Sequence, residues 1–306
     1  MLAFVDFILS EECYRLSMAL ISSVISRVTQ QENINFLLTN RIPRRYVTLF
    51  MGWFSRIEFF PVKFLSIKIW KLFAHDLDLN EAKKTSFTSM HDCFIRELKA
   101  GARTIHPAEN IISSPCDAII GSFGKINDTQ LFQAKGFPYT LDDLLPRQDL
   151  VDKYRNGLYV TLRLKSTMYH RFHAPYAGSI SEINYISGDT WNVNPIALKR
   201  VEKLYCKNER AVLDIKLDNI NANLTLVPVA AIMVASLRFK FLAETLDLKY
   251  KGPNRISCNV SFNKGEELGY FQHGSTIIVF ASNNLKFCDN IILGQGIKMG
   301  EALFSI

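Results

Sequence analysis

The hydrophobic and polar positions divide the chain into a helical first third and a strand-rich remainder. In the first part, apolar side chains recur every four residues at Leu16, Leu20, Val24 and Val28, which is the spacing of one helical face. From about residue 100 the pattern changes, and "GLYVTLRL" (157–164) alternates with period two, as half-buried strands do. The segments "LTLVPVAAIMVASLRFKF" and "STIIVF" predict further strands, and "NPIALKRVEKLY" gives the clearest later helical signal.

These patterns predict an α+β protein. We expect a helical segment over residues 1–95 and a mainly antiparallel β domain over residues 96–306, built like a barrel or a sandwich.

The end of the helical part combines basic and aromatic side chains. After Pro61, the stretch "VKFLSIKIWKLF" interleaves Lys63, Lys68 and Lys71 with apolar residues that include Phe64 and Trp70. Amphipathic helices of this composition lie in membrane interfaces, so the segment is predicted to associate with a membrane surface. The alternative is that its apolar face packs only against the rest of the protein.

Charge and composition narrow the possible partners. The net charge of +7 and the pI near 9.0 suit either nucleic acid or an anionic membrane, but no nucleic-acid-binding motif is present. No signal peptide is expected. The longest uncharged stretch of the first third, Leu16–Ser26, is about half of the roughly 20 residues that a spanning helix needs. The six irregularly spaced cysteines favour a reducing compartment over a disulfide framework or a zinc site.

The candidate chemistry lies in three short stretches of the β part. "GYFQHGSTIIVF" (269–280) places Gly274, Ser275 and Thr276 inside an otherwise apolar strand, which they interrupt. "YHRFHAP" (169–175) contains His170 and His173, and "SSPCDAIIG" (113–121) contains Asp117. A serine nucleophile needs a base, and the base usually needs an orienting carboxylate.

Taken singly, each of these residues is more often structural, in a bulge, a strand or an Asx-turn. The His-x-x-His pair lacks a third ligand at suitable spacing, so no metal site is expected. The chain also lacks a Gly-x-Ser-x-Gly nucleophile elbow, which disfavours an ordinary α/β-hydrolase.

Together, these stretches resemble the phosphatidylserine decarboxylase proenzyme family. "KGEELGYFQHGSTIIVF" (264–280) is similar to its C-terminal signature, "YHRFHAP" to its histidine motif and "SPCDAIIG" (114–121) to its Ser-Pro-x-Asp-Gly segment. Further matches follow in the family's order over residues 85–285: "FIRELKAGARTIHP" (94–107), "QAKGFPYTLDDLL" (133–145), "VNP" (193–195) with "NER" (208–210), and "VPVAAIMVAS" (227–236).

The resemblance implies a self-cleaving enzyme that makes its own cofactor. Cleavage between Gly274 and Ser275 would give a large chain, 1–274, and a small chain, 275–306, with Ser275 converted to a pyruvoyl group. His173 would take the Ser275 proton, Asp117 would orient His173, and His170 would return a proton to the substrate. The pyruvoyl group would act on the amine of phosphatidylserine and accept the electrons released when CO₂ leaves.

The resemblance also implies where the protein works. It suggests a peripheral protein on the cytoplasmic face of a bacterial-type inner membrane, with phosphatidylserine as substrate, a possible homodimer and no nucleic-acid partner. The alternatives are a non-enzymatic peripheral lipid-binding homologue and a lipid hydrolase that uses Ser275, His173 and Asp117.

Four positions depart from the family pattern. His273 stands where leucine is commonest, and Ala118, Ala230 and Ala235 stand where glycines are usual. We expect His273 and Ala118 to affect the reaction rate. We expect Ala230 and Ala235 to narrow a pocket.

Overall fold

The computed structural model describes residues 31–74, 76–132, 137–233, 236–272 and 275–306. The predicted helical face at Leu16–Val28 therefore lies outside the described residues, as do Ala235, His273 and Gly274. The helices are α1 Glu32–Asn40, α2 Arg44–Phe54, α3 Phe60–Phe73, α4 Met90–Phe94, α5 Leu141–Leu144, α6 Gln148–Tyr154, α7 Pro195–Leu198 and α8 Leu204–Lys207.

Strands dominate the chain after residue 110. They are β1 Ile111–Ser113, β2 Ala118–Lys125, β3 Gln130–Phe132, β4 Pro138–Thr140, β5 Leu158–Leu164, β6 Arg171–His173, β7 Gly178–Ile186, β8 Arg210–Leu217, β9 Asn223–Ala230, β10 Ser236–Phe239, β11 Thr245–Asp247, β12 Arg255–Phe262, β13 Glu267–Phe271, β14 Ser275–Ala281, β15 Lys286–Phe287, β16 Gly296–Ile297 and β17 Ala302–Ser305.

One large antiparallel sheet organises the molecule. It has eight strands in the order β12-β7-β8-β9-β14-β5-β2-β16, and a four-stranded sheet, β11-β10-β13-β6, packs against it. The remaining strands form a three-stranded sheet, β1-β17-β15, and the β3-β4 hairpin. The arrangement is sandwich-like, and no sheet of the described residues closes into a barrel. The α+β prediction is confirmed in its sandwich form.

The centre of the large sheet is buried on both faces. Ile277 and Val279 of β14 enter the core shared with the smaller sheet, while Ile278 and Phe280 enter a second core formed with α5 to α8. A strand covered on both faces has no solvent-facing positions to fill with polar side chains. This double burial explains why "STIIVF" has no polar break after its first two residues.

Most of the predicted elements are present, with two differences in detail. β5 and β14 match their predicted strands, and the long apolar stretch 224–241 divides into β9 and β10. The helix predicted from "NPIALKRVEKLY" is two short helices, α7 and α8, because the backbone of Lys203 is left-handed, with φ of 50°. Asn194 caps the first of them by accepting a hydrogen bond from Ala197 N at 2.8 Å.

The N-terminal helices contact the β-rich part. The Arg44 guanidinium in α2 pairs with Asp189 at 2.5 Å and stacks on the Trp191 ring at 3.7 Å. Trp70 of α3 stacks on Phe94, so this predicted lipid-facing side chain is half-buried against protein instead. Among the described residues, no helix combines the length and apolar character needed to cross a bilayer.

Candidate active site

Ser275 is the first residue of the central strand β14. It pairs with Leu164 of β5 on one side and Ala230 of β9 on the other, and its side chain is fully buried. Within the described part of the chain, its Oγ has no hydrogen-bond partner. Leaving a buried hydroxyl without a partner costs about 1–3 kcal/mol, so such a group needs an explanation.

A cavity of 430 Å³ opens at this end of the sheet. Ser275 lines it together with Arg163 at the end of β5 and with Lys165 and Thr167 in the segment that follows. The opposite wall comes from the segments around Val193 and Ile232. Pockets of this size accommodate small ligands. The cavity therefore leaves room for a small ligand beside residue 275.

His170 lies on the segment that continues from this wall. Its ring is fully buried, its Nδ1 lies 2.8 Å from the Met168 carbonyl oxygen, and the Phe94 ring packs at 4.0 Å. A carbonyl only accepts, so Nδ1 carries the proton and Nε2 is the basic atom. Nε2 is buried and has no hydrogen-bond partner among the residues that the structure describes, and burial lowers the pKa of His170 to about 3. The imidazole is therefore neutral, with a free lone pair.

His173 lies on β6 and has partners on both ring nitrogens. Its Nδ1 donates to the Gly265 carbonyl oxygen at 2.9 Å, and its Nε2 accepts from the Tyr169 hydroxyl at 3.0 Å. Gly265 has a left-handed backbone, with φ of 83°, which places that carbonyl toward the histidine. Burial lowers the pKa of His173, so this ring is neutral too.

Asp117 lies just before β2 and holds an arginine. Its carboxylate accepts from Arg103 Nε at 2.8 Å and Nη2 at 2.5 Å, and from Met299 N at 2.9 Å. Both side chains of this pair are at least nine-tenths buried. A bidentate pair of this kind fixes both groups firmly.

The predicted site residues fall into two neighbouring groups. His173, Tyr169, Arg103 and Met299 line a second cavity, of 420 Å³, whereas Ser275 lines the first. No hydrogen bond among the described residues joins Ser275, His173 and Asp117 to one another. His170 lies on the segment between the two cavities. Within the described ranges, no three potential ligand side chains assemble as a metal site.

The "NER" motif contributes a second unpartnered group. Asn208 donates to the carbonyls of Trp191 and Ala230, and Arg210 donates to four backbone carbonyls, so both are structural. Glu209 is buried, and neither carboxyl oxygen has a hydrogen-bond partner in the described ranges. Burial raises the pKa of Glu209 to about 8, assisted by the Asp247 charge and opposed by Arg45.

Two of the departures from the family pattern are described. Ala230 lies directly opposite Ser275 on β9, and Ala118 is buried at the start of β2. The cavity wall is formed by the neighbouring Ala231.

Sequence reasoning did not single out several residues of this region. Arg103, Tyr169 and Gly265 lie inside the quoted motifs, but their spacing gives no sign that they hold Asp117 and His173. Arg163 is an outward position of a predicted strand, and only the cavity reveals it.

Comparison with known proteins identifies the family of this chain. The sequence model of the family described as phosphatidylserine decarboxylase matches residues 90–305. The chain is 31% identical to the phosphatidylserine decarboxylase proenzyme of Brevibacillus brevis over 87% of this chain and 95% of that protein. It is also 31% identical to the Haemophilus influenzae proenzyme over 86% of this chain and 92% of the relative. Identity to the Francisella tularensis subsp. novicida proenzyme is 35%, over 69% of this chain and 76% of that protein.

The family's matched region includes Asp117, both histidines and Ser275, and the relatives are matched over most of their length. The chain belongs to the phosphatidylserine decarboxylase family.

Proposed function

We propose that this protein decarboxylates phosphatidylserine to phosphatidylethanolamine, using a pyruvoyl group that it makes from Ser275 by self-cleavage. The observation that carries the proposal is the Ser275 hydroxyl, buried without a partner at the edge of a cavity. The relatives' description as proenzymes supports a processing step.

The proposed maturation rearranges the peptide bond between residues 274 and 275. The Ser275 oxygen attacks the carbonyl carbon of residue 274, the C–N bond breaks, and the amide becomes an ester with a free amine on residue 275. Loss of the Cα proton and of the carboxylate of residue 274 leaves dehydroalanine. Water then replaces the nitrogen, which leaves as ammonia, and residue 275 ends as a pyruvoyl group.

The surroundings of residue 275 suit that group. The strand pairing on both sides fixes residue 275, and the cavity beside it has room for an amino-acid headgroup. When present, the pyruvoyl carbonyl supplies an electron sink for loss of CO₂. The protein's part is to bind the headgroup, exclude water and move protons.

We assign the proton transfers to the two histidines. His173 takes the Ser275 proton during maturation, with Asp117 as its positioning residue, and this requires a shift that releases Tyr169 from Nε2. His170 serves turnover, because its unpartnered Nε2 is the right form to carry a proton to the substrate. These roles are the ones implied by the resemblance of "YHRFHAP" and "SPCDAIIG" to the family's motifs.

We also propose that the N-terminal helices bring the site to a phospholipid membrane. Two stripes of exposed apolar side chains support this, one on α2 and one on α3: Tyr46, Phe50, Trp53, Phe60, Phe64, Leu65 and Ile69. Lys63 and Lys68 flank the α3 stripe, each near an aromatic ring. Aromatic side chains beside lysines suit an anionic bilayer surface.

Denaturing mass spectrometry tests the proposal. The purified protein should separate into chains 1–274 and 275–306, and the small chain should lack a free amino terminus. Ser275→Ala should remain a single chain that releases no CO₂ from phosphatidylserine. A full-length wild type that nevertheless decarboxylates the lipid would overturn the mechanism. An uncut wild type that releases fatty acid or headgroup would indicate a hydrolase, and one that only binds lipid would indicate a non-enzymatic homologue.

A further inference from the structure

Arg163 is an uncompensated cation in the wall of the Ser275 cavity. Its backbone is paired with Thr276 of β14 on one side and with Ile119 of β2 on the other, so its position is fixed. Its side chain is half-buried and lines the cavity. Among the described residues, no carboxylate, carbonyl or hydroxyl accepts a hydrogen bond from its guanidinium.

The fully buried arginines in the described part of the chain each have at least one partner. Arg96 donates from Nη2 to the Thr167 carbonyl at 2.8 Å, although its Nε and Nη1 have no partner there. Arg171 pairs with Glu267 at 2.7 Å, and Arg210 is held by backbone carbonyls. Lys165, the next cation along this wall, pairs with Asp76 at 3.0 Å. Desolvating a guanidinium without a partner is costly, and arginine keeps its charge at neutral pH. An anion bound in the cavity would remove that cost.

The proposed function, on which this inference rests, offers two anionic groups in the substrate headgroup. A cation held on the carboxylate stabilises the ground state and loses its partner as CO₂ leaves, so it would raise the barrier. The phosphodiester keeps its charge through the reaction, and a contact with it is equally strong in the ground state and the transition state. The guanidinium also matches two phosphate oxygens at once.

We propose that Arg163 binds the phosphodiester of the phospholipid headgroup and so positions the amino-acid end at residue 275. The site would therefore select phosphorylated amino-alcohol and amino-acid headgroups over the free amines and amino acids.

Calorimetry with glycerophosphoethanolamine tests the inference, because this product headgroup has a phosphodiester but neither a carboxylate nor acyl chains. The mature wild type should bind it, and Arg163→Gln should bind it about ten- to a hundredfold more weakly, the loss expected for a hydrogen bond to a charged group. With phosphatidylserine in mixed micelles, the same variant should raise KM by a similar factor and leave kcat within about twofold. Arg155→Gln removes the same charge from the exposed turn after α6 and should change neither quantity.

Several outcomes would overturn the assignment. Equal binding of glycerophosphoethanolamine by wild type and Arg163→Gln would exclude the phosphodiester contact. A rise of kcat together with KM would point to the carboxylate instead. If Arg163→Gln fails to mature, Arg163→Lys is used in its place. The wild type alone also tests the inference, which is refuted if the protein binds ethanolamine as tightly as glycerophosphoethanolamine. A wild type that releases no CO₂ refutes the proposed function, while the calorimetric comparison still reports on the anion site.

Discussion

His170 and His173 differ in what faces their basic nitrogen. Both rings carry the proton on Nδ1, which is held by a backbone carbonyl. The Nε2 of His173 is engaged by Tyr169, whereas the Nε2 of His170 is free and buried. The two rings are three residues apart and neutral, yet their basic nitrogens have different surroundings.

Substitution should separate these roles. His173→Ala should leave a largely uncut chain, while His170→Ala should cut normally and lose decarboxylase activity by about 10²–10⁴-fold, the usual contribution of a general acid or base. Asp117→Asn should resemble His173→Ala in milder form, because it would loosen Arg103 and Met299, which line the same cavity as His173. A denaturing gel and a CO₂-release assay read both steps. Normal cleavage in His173→Ala with blocked cleavage in His170→Ala would reverse the assignment.

Glu209 should make the protein less stable as pH rises. Its folded pKa, about 8, lies above the value of an exposed glutamate, so the folded state binds a proton that the unfolded state loses. The contribution to stability is therefore complete below about pH 4.5 and is lost as pH rises to about 8.

Glu209→Gln removes this titration and keeps the shape of the protonated acid. The variant should melt within about a degree of the wild type at pH 5 and several degrees higher at pH 8, as measured by thermal unfolding. Glu202→Gln makes the same change at an exposed position and should show no such difference. A melting difference between wild type and Glu209→Gln that is the same at both pH values would contradict the argument.

At the residue scale, the sequence identified the candidate site residues but not the residues that hydrogen-bond to them. Ser275, both histidines and Asp117 stand out because they lie in short polar interruptions of apolar strands. The bonds from Asp117 to Arg103 and from His173 to Tyr169 and Gly265 depend on loop conformation, which spacing along the chain does not encode. Arg163 is visible only once β5 and β14 are paired.

At the scale of elements, α3 presents different sides to protein and to solvent. Trp70 and Ile67 pack against a small core beside α4, while Phe60, Phe64, Leu65 and Ile69 are exposed. The sequence predicted the amphipathic helix but assigned Trp70 to the lipid side. The stretch is apolar nearly all round, so its pattern does not determine which apolar residues contact the domain.

The exposed stripe on α3 should carry membrane binding. Replacing Phe60 and Phe64 by serine should weaken binding to anionic vesicles by at least about tenfold, since each buried phenylalanine contributes roughly 1.5–3 kcal/mol. Leu293→Ser removes an equally exposed apolar side chain from the turn before β16 and serves as control. Sedimentation at low and high salt measures the effect. Wild-type binding by the double variant at both salt concentrations would leave the stripe without this role.

Strand prediction succeeded where the chain marks the ends of a strand and was incomplete where an apolar run continues past an end. β5 and β14 were predicted to within one residue, whereas the apolar stretch across β9 and β10 did not reveal its break. Covering both faces with apolar layers removes the polar positions from which strand ends and faces are predicted.

At the scale of the whole molecule, the proposed small chain is built into two sheets. β14 pairs with β9 and β5, β16 pairs with β2, and β17 pairs with β1. After cleavage, chains 1–274 and 275–306 should therefore stay together. Native mass spectrometry should show one complex with the summed mass, and only denaturant should separate the chains. Release of the small chain in buffer at neutral pH would contradict the described pairing.

The central position of β14 also dictates an order of events. A strand with neighbours on both sides can be cut at its first residue only after the sheet that positions this residue has formed. Every active molecule would thus be made from a single polypeptide that folded first and was cleaved later. The two chains would be produced in equal numbers. A substitution that delays folding anywhere in the large sheet would delay the appearance of activity by the same interval.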